Sequence, residues 1–182
     1  NNCVLSDSVT IVDQGTMLAN LSIVNPVLCH GVCIGSIISN PSGSFAYTFN
    51  WSNGDTTQTI SNLCGGWYIV TITGQGGCAV IDSINLFEPD TMTVAFINIL
   101  QVNCGGDCSG SVTAQVTGGT PLYTYQWDAN ADSSTTAMID SLCANLYFIT
   151  VSDANGCSQN LNFEVTDTSN LSVSITDSSM VS

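Results

Sequence analysis

Leu63-Cys64-Gly65-Gly66-Trp67-Tyr68-Ile69-Val70-Thr71 returns further along the chain as Leu142-Cys143-Ala144-Asn145-Leu146-Tyr147-Phe148-Ile149-Thr150. In both copies a cysteine stands four residues before a tyrosine, and an apolar run follows. Outward from this pair, Cys29, Cys33, Cys64 and Cys78 recur as Cys104, Cys108, Cys143 and Cys157, with gaps of 4, 31 and 14 residues and then 4, 35 and 14. Cys3 precedes Cys29 by 26 residues, as Cys78 precedes Cys104. The ninth cysteine therefore reads as the last one of an earlier copy, and the chain as a segment of a tandem array. A period of about 75 to 79 residues suits a small domain rather than one turn of a solenoid.

Composition narrows the chemistry. There is no lysine and no arginine in 182 residues, against 14 acidic side chains. Nucleic acid is excluded as a partner, because phosphate binding rests on basic side chains. An anionic membrane surface repels the chain for the same reason. Lysine-based covalent cross-links cannot form, and His30 is the one side chain able to make an ion pair. Stability is left to burial, backbone hydrogen bonds and disulfides. A hydrophobic fraction of 44% opposes disorder. No apolar run approaches the length of a membrane span, so no direct membrane insertion is expected. Four cysteines per small unit, without a Cys-x2-Cys pair, point to an oxidising, extracellular setting.

Short alternating runs, such as Val112-Ala114-Val116 and Tyr123-Tyr125-Trp127, lie between turn signals such as Asn53-Gly54, Gly118-Gly119 and Asn155-Gly156. The period is two, not 3.6. The fold class is therefore all-β, as tandem immunoglobulin-like β-sandwich domains of about seven strands each. Residues 1–15 are expected to end a preceding repeat, 16–89 and 90–167 to form two complete ones, and 168–182 to supply the first strand of a following repeat. No Ser/Gly-rich or Pro-rich spacer separates them.

Cys104-x3-Cys108-x-Gly110-Ser111, Thr117-Gly118-Gly119-Thr120-Pro121, Leu142-Cys143-x3-Tyr147 and Val151-Ser152-Asp153-Ala154-Asn155-Gly156-Cys157 together resemble the SprB-type repeat. Such repeats occur in very large gliding-motility and surface adhesins of Bacteroidota exported by the type IX system. The first unit departs from the pattern, with Asn40-Pro41-Ser42-Gly43-Ser44 and Gly74-Gln75-Gly76-Gly77 at the two turns. The resemblance implies no catalytic residue. It implies bonding of the first cysteine to the last, giving Cys29–Cys78 and Cys104–Cys157, with Cys33–Cys64 and Cys108–Cys143 as a matched inner pair. The local alternative is Cys29–Cys33 with Cys64–Cys78. The resemblance also gives a meaning to the aspartates, eight of twelve of which precede Ser or Thr. Surface proteins of these bacteria carry O-glycans at Asp-Ser/Thr-aliphatic triplets, which makes Ser8, Thr56, Ser83, Thr91 and Ser141 candidate acceptors. Turn chemistry explains the same pairs without sugar.

Other candidates have plainer readings beside them. Trp51 and Trp127 share a repeat position and suit a core tryptophan packed on a disulfide, or else a sugar-stacking platform. Tyr68 and Tyr147 fit a tyrosine corner. Trp67 and Leu146 suit an apolar slot. Asp153 and Asn155, with Asp128 or Asp132, could offer oxygens to Ca²⁺, but a cation of that kind takes six to eight ligands and an Asx turn accounts for the motif. Zinc on the four cysteines of a unit is the alternative to disulfides. No paired carboxylates, nucleophile elbow or phosphate loop stands out, so no enzyme and no other cofactor is expected.

The expected function is structural and adhesive: a rod of repeats in a bacterial cell-surface filament or gliding adhesin, with neighbouring repeats and surface polysaccharide as partners. The alternatives are a glycan-binding accessory module of a secreted hydrolase and a strand-exchange polymer subunit.

Overall fold

A computed structural model describes residues 16–43, 46–103 and 106–168. The expected end of a preceding repeat, residues 1–15, and nearly all of 168–182 lie outside these. The chain divides into two compact units, Asn1–Glu88 and Pro89–Ser182.

The first unit contains β1 (Leu21–Asn25), β2 (Gly35–Ser39), β3 (Tyr47–Trp51), β4 (Thr59–Leu63), β5 (Gly66–Gly74) and β6 (Ala79–Leu86). They form two antiparallel sheets, ordered β1-β2-β4 and β3-β5-β6. The second unit repeats the plan with β7 (Thr93–Leu100), β8 (Gly110–Thr117), β9 (Thr124–Trp127), β10 (Met138–Leu142), β11 (Asn145–Ser152) and β12 (Ser158–Val165). Its sheets run β10-β8-β7 and β12-β11-β9. In immunoglobulin lettering both units are A-B-E against C-F-G, the immunoglobulin-like β-sandwich.

Each described unit has six strands rather than about seven. The fourth strand of the fuller fold, D, is missing; in the first unit only seven residues separate β3 from β4, and in the second a 3₁₀ turn at Ala129–Ala131 fills part of the link between β9 and β10. The first of these segments is spent on a tight turn, in which the Gly54 N–H donates to the Trp51 carbonyl at 2.9 Å and Gly54 takes φ +87°.

Alternation along the strands builds the cores. On β11, Tyr147, Ile149 and Val151 face inward while Leu146 and Phe148 face water; on β5, Val70 and Ile72 face inward while Trp67 and Ile69 do not. The first core gathers Trp51, Ile37, Ile60, Val70, Ile72 and Leu86, and the second Trp127, Val112, Ile149, Val151 and Phe163. Each fully buried aliphatic or aromatic side chain contributes roughly 1.5–3 kcal/mol.

The two ends of a unit differ. At one end lies the F–G turn, where Gly74 N–H donates to the Cys78 carbonyl and Gln75 N–H to the Ala46 carbonyl of the β2–β3 loop. At the other end lie the A–B loop and the E–F corner, because Gly35 pairs with Leu63 and Gly66 with Leu86. The chain comes in along β1 at the F–G end and leaves along β6 at the A–B end. Glu88, just past β6, accepts a hydrogen bond from the Gly31 N–H of the A–B loop and lies 3.5 Å from His30.

Candidate functional site

The E–F corner is the most constructed part of either unit. Cys33 bonds Cys64, and Cys108 bonds Cys143. Each bridge ties the segment leading into strand B to the residue just after strand E, with Cα atoms 4.0 and 3.9 Å apart. Immediately beyond, the Tyr68 hydroxyl donates to the Cys64 carbonyl at 3.0 Å, and the Tyr147 hydroxyl to the Cys143 carbonyl at 2.9 Å. These are tyrosine corners. Tyr147 is only 2% exposed, and burial raises its pKa, with the Asp128 charge adding to the rise. One residue before the end of strand E, Asn62 and Ser141 both take left-handed backbone, at φ 56° and 57°, where the β2–β4 and β8–β10 ladders shift register. The bulge turns the chain toward the corner.

The outer cysteines require a correction. Cys29 is disulfide-bonded, but Cys78 is a free, exposed thiol, so the expected Cys29–Cys78 pair is not formed. Cys29 lies in the A–B loop and Cys78 at the F–G turn, at opposite ends of the sandwich. The nine residues of β5 separate those ends by roughly 30 Å, whereas a disulfide spans Cα atoms no more than about 7 Å apart. The local alternative fails as well, since Cys33 and Cys64 bond each other. Cys157 is disulfide-bonded, while its expected partner Cys104 lies outside the described residues.

Trp51 and Trp127 are 2% and 1% exposed, with their ring N–H groups donating to the Thr57 and Thr136 carbonyls at 2.9 and 3.0 Å. Buried rings cannot serve as a sugar platform. Nor do they pack on a disulfide as expected: the bridges sit at the end of each sandwich, and the centres of β2 and β5 carry Ile37, Val70 and Ile72 instead. Trp67 and Leu146 do not fill a slot. They are 66% and 41% exposed on the outer face of the C-F-G sheets, next to exposed Ile69 and Phe148. Sequence reasoning missed this because the alternation locates two faces without saying which is inner.

Asp153 is 5% exposed and organises the F–G turn of the second unit. Its Oδ1 accepts from the backbone N–H groups of Asn155 and Cys157, both at 2.9 Å, and its Oδ2 from that of Thr120 at 2.9 Å. Burial works to raise its pKa, but the amide donors, that of Gly156 included, outweigh it and hold the carboxyl below the usual range. The Asn155 amide donates to Thr120 Oγ1 at 2.8 Å. This is an Asx turn extended to a neighbouring loop. Asp128 lies beside Phe148, five residues along β11 from Asp153 and so roughly 15 Å away. Among the described residues no three His, Cys, Asp or Glu side chains gather as a metal site.

Thr56, Ser83, Thr91 and Ser141 are all exposed, and Ser8 lies outside the described residues. Three of the preceding aspartates make local bonds: Asp55 Oδ1 accepts from Thr56 N–H, Asp82 Oδ1 from Ser83 N–H, and Asp140 Oδ1 from the Ser141 hydroxyl. No helix of the described residues is long and apolar enough to cross a membrane.

Sheet order, corner and bridge together define a disulfide-stapled immunoglobulin-like repeat domain. Residues 97–132, within the second unit, match the SprB repeat. No curated protein matches the chain. Among solved structures, a C-terminal 282-residue fragment of intimin in complex with the translocated intimin receptor (Tir) intimin-binding domain is similar at 12% identity and TM-score 0.47, over 85% of this chain and 65% of that one. The chain thus spans under two thirds of that fragment. The IG1+IG2 segment of DIP-gamma is similar at 11% identity and TM-score 0.42, over 81% and 97%. Drosophila OTK extracellular domains 3–5 follow at 14% identity and TM-score 0.34, over 80% and 61%.

Proposed function

We propose that this chain is a structural segment of an extracellular, adhesin-type surface protein, of the gliding or filament-forming kind, whose repeats hold an adhesive tip away from the cell. The observation that carries the reading is the SprB repeat built as a disulfide-stapled sandwich, next to a second unit of the same plan. Because each unit takes the chain in at one end and releases it at the other, tension runs along the strands. It then loads the ladder hydrogen bonds together rather than one by one. The bridges fix how far a repeat can yield. Cys33–Cys64 encloses β2, β3 and β4 in a loop closed at a sequence separation of 31, which cannot extend while the bond is intact. At ~3.4 Å per residue, each repeat retains roughly 100–120 Å of hidden length.

Pulling single molecules by their ends tests this. Each unit should give a distinct force peak, and reduction should lengthen each step by roughly 100–120 Å. Extension without force peaks would overturn the mechanical reading.

O-glycans on Thr56, Ser83, Thr91 and Ser141 fit the same role, since all four positions face solvent. A neutral coat would separate uncompensated carboxylates on neighbouring molecules. Native protein whose mass equals that of the bare polypeptide would end that part of the proposal. Surface polysaccharide as a partner is favoured by exposed Trp67, a flat apolar ring beside Ile69. Trp67→Ala should then weaken retention on immobilised polysaccharide at least tenfold, and unchanged retention would remove the partner.

A further inference from the structure

Trp67 and Ile69 on β5 and Ile81 on β6 are 66%, 47% and 70% exposed. Strand register gathers them on one side of the C-F-G sheet of the first unit. Trp67 pairs with Asn85, Ile69 with Ser83 and Thr71 with Ile81, while Asn50 of β3 flanks Thr71 from the other edge. Adjoining exposed apolar groups mark a binding surface in a way that scattered ones do not. Asp82 is the sole acid of these three strands, and it pairs with buried Val70, on the opposite side of the alternation. In a chain of formal charge −14, no strand position on the Trp67 side holds a carboxylate.

The second unit has the same sheet with different chemistry on it. Leu146 replaces the indole, and Glu164 pairs with it where Asn85 pairs with Trp67. Asp128 takes the place of Ser52: their backbone N–H groups donate to the strand F carbonyls of Phe148 and Ile69 at 3.0 and 2.8 Å. The Thr150 hydroxyl and the Asn160 amide oxygen are spent on each other, at 2.6 Å.

We propose that this face of the first unit is a site for a neutral polysaccharide, and that the second unit has no counterpart. This rests on polysaccharide as the partner, and adds the class of polymer and the repeat that holds it. A sugar ring shows C–H groups on its faces and hydroxyls at its rim. The flat Trp67 ring suits the first, and the Asn85 and Asn50 amides and Thr71 hydroxyl around the apolar groups suit the second. Charge selects the polymer. An acidic chain finds no lysine or arginine to pair with, and His30 lies beside Glu88. A basic chain finds no carboxylate among the strand positions of this face and is drawn to the acids elsewhere. A neutral chain leaves no charge to be desolvated without a partner. On the second unit Glu164 would have to give up water for any polymer laid across Leu146.

The test is affinity electrophoresis of the whole chain through gels carrying neutral hydroxyethyl cellulose or dextran, acidic alginate, or basic chitosan. A glycan on Ser83 would lie on the same face, so chain with the mass of the bare polypeptide is used. At least one neutral polymer should retard it, to the same extent at low and high sodium chloride. Trp67→Ala should weaken that retardation at least tenfold and Asn85→Ala at least threefold, with Phe148→Ala leaving it unchanged. All three replace exposed side chains, and circular dichroism checks that the sandwiches stay folded. Retardation by alginate or chitosan that depends on Trp67 would keep a polysaccharide partner but overturn its neutral class. An equal loss from Phe148→Ala would overturn the assignment to the first unit. Retardation by no polymer, or self-association in sedimentation that Trp67→Ala abolishes, would overturn the site and the polysaccharide partner together.

Discussion

Tyr147 and Tyr68 show how one hydroxyl is worth different amounts in equivalent places. Both donate to the carbonyl of the preceding bridge cysteine, but Tyr147 is buried and Tyr68 only partly so. Removing a donor strands a carbonyl, which costs most where water cannot replace it. Tyr147→Phe should therefore destabilise the second unit by about 1–2 kcal/mol, and Tyr68→Phe the first by about 0.5 kcal/mol or less. Urea titration of the two variants checks the order; a larger loss for Tyr68→Phe would contradict it. Asp153 offers a pH test. Its carboxyl is held below the unfolded value of about 3.9, so the stability it provides is present above about pH 4 and fades as pH falls through the folded value. Asp153→Asn places an N–H donor against backbone donors and removes the charge. It should cost about 1.5–3 kcal/mol at neutral pH. The gap between wild type and variant should narrow below about pH 4, and a gap constant with pH would refute the assignment.

The unit of design at the next scale is strand B, strand E and the bridge between them. A loop of about 32 to 36 residues closed by a disulfide is worth about 3–4 kcal/mol on the chain-entropy account. Replacing Cys108 and Cys143 together by Ser should lower the stability of the second unit by about 2–4 kcal/mol. Thermal melts that resolve the two units should show the second one shifting alone. The Gly118-Gly119 turn is equally constrained. Gly118 has φ +70°, and a Cβ there would lie 2.0 Å from the Thr91 carbonyl oxygen. A side chain is excluded both by the backbone and by the space, which explains the Gly-Gly signal at this turn.

For the whole molecule, charge is the unusual quantity. A formal charge of −14 has no basic side chain to offset it except His30 beside Glu88. Self-repulsion opposes compactness until salt screens it, with the Debye length falling from about 30 Å at 0.01 M to about 8 Å at 0.15 M. Melting temperature should therefore rise by roughly 5 °C across that range, the shift that about 1 kcal/mol produces in a small domain. A melting point that stays flat or falls with added sodium chloride would show that the carboxylates do not repel appreciably.

The repeat, the all-β class, the tyrosine corner and the buried tryptophans were legible in the sequence because each is a local pattern: spacing, alternation, or a tyrosine four residues after a cysteine. The inner bridges, implied by the family resemblance and not by spacing, fall between residues that the pairing of strands B and E brings together. Cys29 was wrongly paired with Cys78 because the resemblance that implied the pair carries no account of where the two cysteines sit in the sandwich. Only the folded sandwich places the A–B loop and the F–G turn at opposite ends, with strand F between them. The same holds for Trp67, whose alternation with Tyr68 left the inner face open until the second sheet covered one side. Asp153 belongs with these. Its sequence neighbourhood specified a turn, but the bond from Thr120, across the 33 residues between them, exists only because two loops meet. What the sequence determined by itself was periodicity and chemistry; what the tertiary structure decided was which end, and which face, each of those residues occupies.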